Sequence, residues 1–233
     1  MRYEKLAQLY EEVSGTTKRL EKIDILSKFL KHLRADDRDV MYLLLGGIYP
    51  EYDERRIGIS NQLAIKAISK SSGVEEKKVV HEWKVIGDLG QVAEKLTLHK
   101  KQSTLHSHVL TIKKVIENLR RLPELVGKGT VNKKLGLISE LLTSACPLEA
   151  KYLVRTLIGD LRIGIQESTV RESMAIAFFK KDKEVSDKIQ RAIDRSNDLA
   201  IVFDIAHKKK LKDLDKVALQ IGKPIKAMLA QKA

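Results

Sequence analysis

Arg-Ile-Gly-Ile stands twice in this chain of 233 residues, at 56–59 and again at 162–165. An arginine two residues before a glycine suits the binding of phosphate. The guanidinium is a permanent forked donor to phosphate oxygens, and glycine lets the backbone take positive φ or come close to a ligand. Polar residues follow each copy, Ser60-Asn61 after the first and Gln166-Glu167-Ser168 after the second. They suit a helix N-terminus, where free N–H groups and the positive end of the helix dipole favour an anion. A plain helical corner with a solvated arginine uses the same residue types. Repetition of the pair in a basic chain favours phosphate contact, at Arg56, Gly58 and Ser60 and at Arg162 and Gly164.

Two basic helix starts extend this reading. Between Lys95 and Lys134 ten lysines and arginines face two glutamates, a net charge of +8 out of +13 for the chain. Charge runs of this kind are commonly solvated faces. Here the segment Lys128–Lys134 reads as a helix start, with Thr130 or Asn132 as cap and Lys133 and Lys134 beside it. Thr16, Thr17, Lys18 and Arg19 make an equivalent stretch earlier in the chain. Paired basic helix starts are what gripping a phosphate backbone needs. Aromatic residues are only 5% of the sequence, so stacking on exposed rings is not expected. Binding should follow backbone and shape.

Other chemistries fail on spacing. Gly127-Lys128-Gly129 lacks the glycine a phosphate loop needs five positions earlier, where Leu122 stands, and Gly129 replaces its Ser/Thr. His99, His106 and His108 have no cysteine or paired carboxylates nearby and read as surface histidines. Asp88 and Asp198 read as helix caps or turn residues in preference to a catalytic pair. Cys146, the only cysteine, precedes Pro147 at a helix start, which can acidify a thiol. With no histidine partner it reads as a packing residue. No catalytic residue, metal ligand or cofactor site is expected.

The elements that must position these residues are helical. Leu6, Leu9, Tyr10 and Val13 recur on one helix face, as do Ile23, Leu26, Phe29, Leu30 and Leu33, and Val109, Ile112, Val115, Ile116 and Leu119. Strand alternation is rare, and the four prolines all read as boundary residues. Asp36, Asp37 and Asp39 can cap or charge-stabilise a helix beginning at Val40. The fold class expected is all-α. One cysteine points to a reducing intracellular compartment. The N-terminus lacks the apolar core of a signal peptide, and no apolar run approaches the length of a membrane span.

If Arg-Ile-Gly-Ile marks a duplicated unit, other matches should keep its order, and they do. Residues 22–30 align with 134–142, Tyr42-Leu43 with Tyr152-Leu153, and 87–92 with 197–202. Two copies of one helical unit, about 16–95 and 129–207, are therefore expected, related by an approximate two-fold axis. Duplex DNA has a matching dyad because its strands are antiparallel. The alternative function is a helical protein-binding scaffold whose basic face serves an acidic partner.

Three stretches carry a resemblance: YLLLGGIYPEYDERRIGIS (Tyr42 to Ser60), GDLGQVAE (Gly87 to Glu94) and EAKYLVRTLIGDLRIGIQESTV (Glu149 to Val170), with SNDLAIVFDIA (Ser196 to Ala206) in agreement. They resemble the N-terminal DNA-binding domain of ATP-dependent DNA ligases of the archaeal and eukaryotic type, over nearly the whole chain. The resemblance implies an all-helical domain that binds the minor groove on both sides of a nick, mainly through the backbone. It adds Gly159 and Asp160 to Arg162 and Gly164 as a DNA-touching loop, and supports Arg56, Gly58, Lys133 and Lys134. Residues 100–106 lie where some archaeal relatives carry a sliding-clamp motif. The aromatic pair of that motif is missing here, which counts against clamp binding through this segment. The adenylated lysine of the family lies in Lys-x-Asp-Gly, and this sequence contains no such motif. Residues 1–220 are therefore expected to form the DNA-binding domain. Residues 221–233 resemble the lead-in to a nucleotidyltransferase domain, which makes the chain a piece of a ligase, inactive alone. ATP and Mg2+ would belong to the parent enzyme, whose catalytic domains and nicked duplex DNA are the implied partners. Its place would be the cytoplasm, at the nucleoid if archaeal.

Overall fold

The structure, a computed structural model, describes residues 1–98, 109–179, 182–219 and 222. Among these residues it is helical throughout. The helices are α1 (Tyr3–Ser14), α2 (Arg19–Lys31), a one-turn 3-10 helix (Ala35–Asp37), α3 (Val40–Leu44), α4 (Asn61–Ser72), α5 (Glu76–Ile86) and α6 (Leu89–Leu98). They continue as α7 (Ile112–Glu124), α8 (Thr130–Ser144), α9 (Pro147–Ile158), α10 (Glu167–Phe178), α11 (Lys183–Ser196), α12 (Leu199–His207) and α13 (Leu211–Asp215). The one extended pairing among the described residues is a bridge of Arg2 with Thr111. There the Tyr3 N–H donates to the Leu110 carbonyl at 2.8 Å and the Ile112 N–H to the Met1 carbonyl at 3.0 Å. The all-α expectation holds.

The chain forms two compact units. The first comprises 1–15, 46–48 and 55–164; the second comprises 16–45, 49–54 and the chain from 165 on. In the first, α9 is buried on nearly every side and packs on α6 and α1, while α8 packs on α4 and α7. A helix buried all round must neutralise its own charges. Accordingly Lys151 Nζ lies 2.7 Å from Glu11 Oε2, and the Tyr152 hydroxyl donates to the same oxygen at 2.7 Å. The Tyr10 and Tyr152 rings meet at 5.0 Å.

In the second unit α10 packs on α2, α11 and α12, and α12 packs on α3. Helix α11 buries Val185, Ile189, Ala192 and Ile193, one face of a 3.6-residue period. Phe178 meets Phe203 edge-on at 5.7 Å, and His207 Nε2 lies 3.0 Å from the Leu33 carbonyl.

Under the alignment of the two sequence copies, α2 corresponds to α8, α3 to α9, α4 to α10, α5 to α11 and α6 to α12. Under that alignment the packing joins helices from different sequence segments. Helix α2 of the first copy packs with α10 of the second and α3 with α12, while α8 of the second packs with α4 of the first and α9 with α4 and α6; α11 and α5 fall in the corresponding units. Each compact unit is thus half of one copy joined to the complementary half of the other. Of the points where the chain changes unit, 54–55 and 164–165 fall beside or within each Arg-Ile-Gly-Ile, and the others lie at 15–16, 45–46 and 48–49.

Several local expectations need correction. Gly129, not Thr130 or Asn132, is the N-cap of α8, and the Thr130 hydroxyl turns back to the Gly127 carbonyl. Asp39 occupies the N-cap of α3 without a side-chain capping bond, while the Asp37 carboxylate accepts from the Arg34 N–H at 3.1 Å. Pro123 lies inside the last turn of α7 instead of beyond it. Pro147 takes the first turn of α9 as expected, since it has no N–H to lose there.

Candidate nucleic-acid interface

The first corner alternates strictly. Ile57 and Ile59 are buried, while Arg56, Gly58 and Ser60 are exposed. Two isoleucines anchor the segment and turn its arginine and glycine outward. Gly58 has φ +58°, a conformation that β-branched and bulky residues essentially avoid. Ser60 then caps α4, its Oγ accepting the Leu63 N–H at 3.3 Å. Arg56 Nη1 donates to the Arg55 carbonyl at 3.0 Å.

The second corner shares the buried first isoleucine and the exposed arginine and glycine, while Ile165 is only half-buried. Helix α9 ends at Gly159, and the Asp160 N–H closes it by donating to the Arg155 carbonyl at 2.9 Å. Ile163 is buried, and Arg162 and Gly164 are exposed. Gly164 has φ +60°, and Arg162 itself has φ +54°, an uncommon place for a long side chain. Gln166 is the N-cap of α10 but makes no side-chain cap.

Electrostatics explains how Arg162 is held. Its Nε donates to Asp160 Oδ2 at 2.7 Å and its Nη1 lies 3.5 Å from Asp88 Oδ2. Asp88 is buried at the start of α6, where Oδ1 accepts the Gly90 N–H at 2.7 Å and the Gln91 N–H at 3.2 Å. Arg155 of α9 closes on the same carboxylate, Nη2 to Oδ2 at 2.6 Å and Nε to Oδ2 at 3.2 Å. Burial works against the Asp88 charge, but Arg155 and the two amides outweigh it and hold the carboxyl below the ordinary aspartate range. The hydrogen bond to Asp160 pushes the Arg162 guanidinium up.

The basic helix starts are less uniform than expected. At α8, Lys133 is exposed, Lys134 is half-buried and Thr130 is half-buried. At α2, Thr17, Lys18 and Arg19 are exposed, yet Lys18 Nζ pairs with Glu21 at 2.8 Å. Glu21 also accepts the Thr16 hydroxyl. Ten of the thirteen candidate residues, namely Arg56, Gly58, Ser60, Thr130, Lys133, Lys134, Gly159, Asp160, Arg162 and Gly164, belong to the first compact unit. Thr17, Lys18 and Arg19 belong to the second.

Asp88 and Asp198 both cap helices, α6 and α12, as their spacing suggested. Cys146 is not acidified: burial pushes its thiol up. Among the described residues no group of three His, Cys, Asp or Glu could hold a metal ion, and no helix is long and apolar enough to cross a membrane. His99, His106, His108, the segment 100–106 and nearly all of 221–233 lie outside the described residues. Sequence reasoning missed Arg155 and the second role of Asp88. A signal was present, since α9 carries Glu149, Lys151 and Arg155 in an otherwise apolar helix, which implies buried partners.

Comparison with known proteins bears on this geometry. A family model described as DNA ligase N terminus matches residues 2–175. The chain is 42% identical to a DNA ligase of Methanosphaera stadtmanae over 98% of its own length and 41% of that protein. It is 39% identical to a DNA ligase of Methanobrevibacter smithii over its full length and 42% of that protein, and 37% identical to a probable DNA ligase of Persephonella marina, covering 40% of it. The chain thus spans about two fifths of the length of the curated relatives it matches.

Proposed function

This chain belongs to the family of DNA ligase N-terminal domains, and from that premise we propose that it grips duplex DNA at a nick for a parent ATP-dependent ligase. It holds the sugar–phosphate backbone along the minor groove, without reading sequence, and so positions the two ends to be sealed in replication, repair and recombination. The observation that carries this reading is the pair of corners. In each, a buried isoleucine between them (Ile57 or Ile163) anchors an arginine and a left-handed glycine that are both exposed, the donor set a backbone phosphate needs.

Arg56 and Arg162 donate to phosphate, while Gly58 and Gly164 let the backbone approach. The helix starts at Ser60 and Thr130, with Gly159, Lys133 and Lys134, add donors in the same unit, and Thr17, Lys18 and Arg19 offer a basic helix start in the other. ATP and Mg2+ act in the parent's catalytic domains, where AMP passes from a lysine to the 5′-phosphate and is displaced by the 3′-hydroxyl. This chain contributes alignment, a large share of the work when two ends must meet. Incubated alone with labelled ATP and Mg2+, it should form no covalent AMP.

Fluorescence anisotropy with a nicked duplex at increasing salt tests the reading. The salt slope should correspond to about 4–8 neutralised phosphates. Affinity that stays flat from low to moderate salt would overturn it. Gly164→Val should weaken DNA binding more than it lowers the unfolding midpoint, with a strain cost of about 1–3 kcal/mol. A folded variant with unchanged affinity would remove the loop from the interface.

A further inference from the structure

The second corner carries a device that a phosphate contact alone does not require. Arg162 emerges from a left-handed backbone position, yet its side chain, 48% exposed, is tied by two carboxylates. A guanidinium has five N–H donors in one plane. Nε and one Nη1 hydrogen face Asp160 and Asp88. Among the described residues no acceptor meets Nη2, so two of the three guanidinium nitrogens are engaged and the Nη2 hydrogens are left for a further acceptor. Asp88 cannot drift, because two α6 amides and Arg155 hold it.

We propose that Asp160 and Asp88 are positioning residues for DNA, which hold the Arg162 fork so that its Nη2 meets a backbone phosphate already oriented. This rests on the reading of the corner as a DNA contact. A long side chain otherwise loses rotamer freedom when it binds, and here that loss is taken during folding. The arrangement also restrains charge. Arg155 and Arg162 balance Asp88 and Asp160, so the corner adds directional hydrogen bonding and little long-range attraction. Lys133 and the other exposed lysines supply the latter.

The sign of one substitution separates this from simple electrostatics. The Asp160 side chain is only half-buried, so Asp160→Asn leaves the fold intact while removing a negative charge beside DNA. Charge alone predicts tighter binding. Positioning predicts binding weaker by about two- to fivefold, the scale of a half-exposed ion pair. The measurement is nicked-duplex affinity of the whole chain against salt, beside its thermal midpoint, for Asp160→Asn, Arg162→Lys, Arg162→Ala and Asp88→Asn. Arg162→Lys keeps the charge but has one nitrogen and no planar fork, so it cannot hold the carboxylates and present a separate nitrogen to phosphate, and should lose most of the roughly tenfold lost by Arg162→Ala. Asp88→Asn should weaken binding with the salt slope unchanged; if it fails to fold, Asp160→Asn decides. Tighter or equal binding by Asp160→Asn, or an Arg162→Lys variant that binds like the parent, overturns the proposal. An Arg162→Ala variant with full affinity instead overturns the reading of the corner on which it rests.

Discussion

Asp88 and Asp198 stand at matching places in the two sequence copies, and each caps the helix that follows, yet their surroundings neutralise them differently. In the first unit Asp88 is closed by Arg155 at 2.6 Å and reaches on to Arg162. In the second, Asp198 Oδ1 accepts the Ala200 N–H at 2.9 Å and the Tyr42 hydroxyl at 2.8 Å. Burial, with Asp198 beside it, pushes that hydroxyl up and keeps it a neutral donor. The neighbouring helix contact differs in step. A Cβ on Gly90 would lie 2.7 Å from both the Lys151 carbonyl oxygen and Arg155 Cγ, whereas the matching residue of the second unit is Ala200, fully buried. Tolerating a methyl group and using a neutral partner, the second unit behaves as a structural copy. The first brings its helices closer and ties an ion pair to an exposed arginine, as a unit with a ligand to hold would.

The exchange of halves predicts the largest effect. A chain cut to residues 16–95 contains one whole copy but lacks the partners of α2, α3 and α6. It should show weak helical circular dichroism and no cooperative unfolding. A cooperative transition in that piece would mean that a copy is self-sufficient, and the division into exchanged halves would be wrong.

Next in size is the contrast of the two caps. Asp88→Ala leaves Arg155 buried and unpaired, and should cost about 3–5 kcal/mol. Asp198→Ala loses a cap and a neutral hydrogen bond, about 2 kcal/mol together. Chemical denaturation at neutral pH ranks them; equal losses would erase the distinction between the units. The same pair sets a pH dependence. Asp88 has its folded pKa lowered, so its stabilisation is present at neutral pH, begins to fall as the unfolded-state carboxyl protonates, and is lost as pH drops through the folded value. Acid titration of the thermal midpoint should show this component in the parent chain and not in Asp88→Ala.

The smallest contrast is between the two helix contacts. Gly90→Ala forces α6 away from α9 and should cost about 1–3 kcal/mol, while Ala200→Gly should cost about 1 kcal/mol through helix propensity. A neutral Gly90→Ala would show that α6 and α9 can separate freely.

Much of the site was legible. Arg56, Gly58 and Ser60 could be read as an exposed arginine, a special backbone position and a helix cap because each property is local. The left-handed φ of Arg162 was not, since no side-chain type demands it there; it follows from the anchoring of Ile163 and the carboxylate on either side. Nor was the contact of Asp88 with Arg155 and Arg162, whose positions lie 67 and 74 residues along the chain.

Local chemistry and periodicity were enough to establish helices, their approximate ends and the family, and to suggest the duplication, because each depends on neighbours within a few turns or on matching strings. Which copy covers which apolar face was decided only by tertiary structure. A hydrophobic stripe states that it must be buried but not by whom, and two similar copies offer equivalent partners. Packing selected the exchanged pairing, and with it set Asp88 of one copy beside Arg155 and Arg162 of the other.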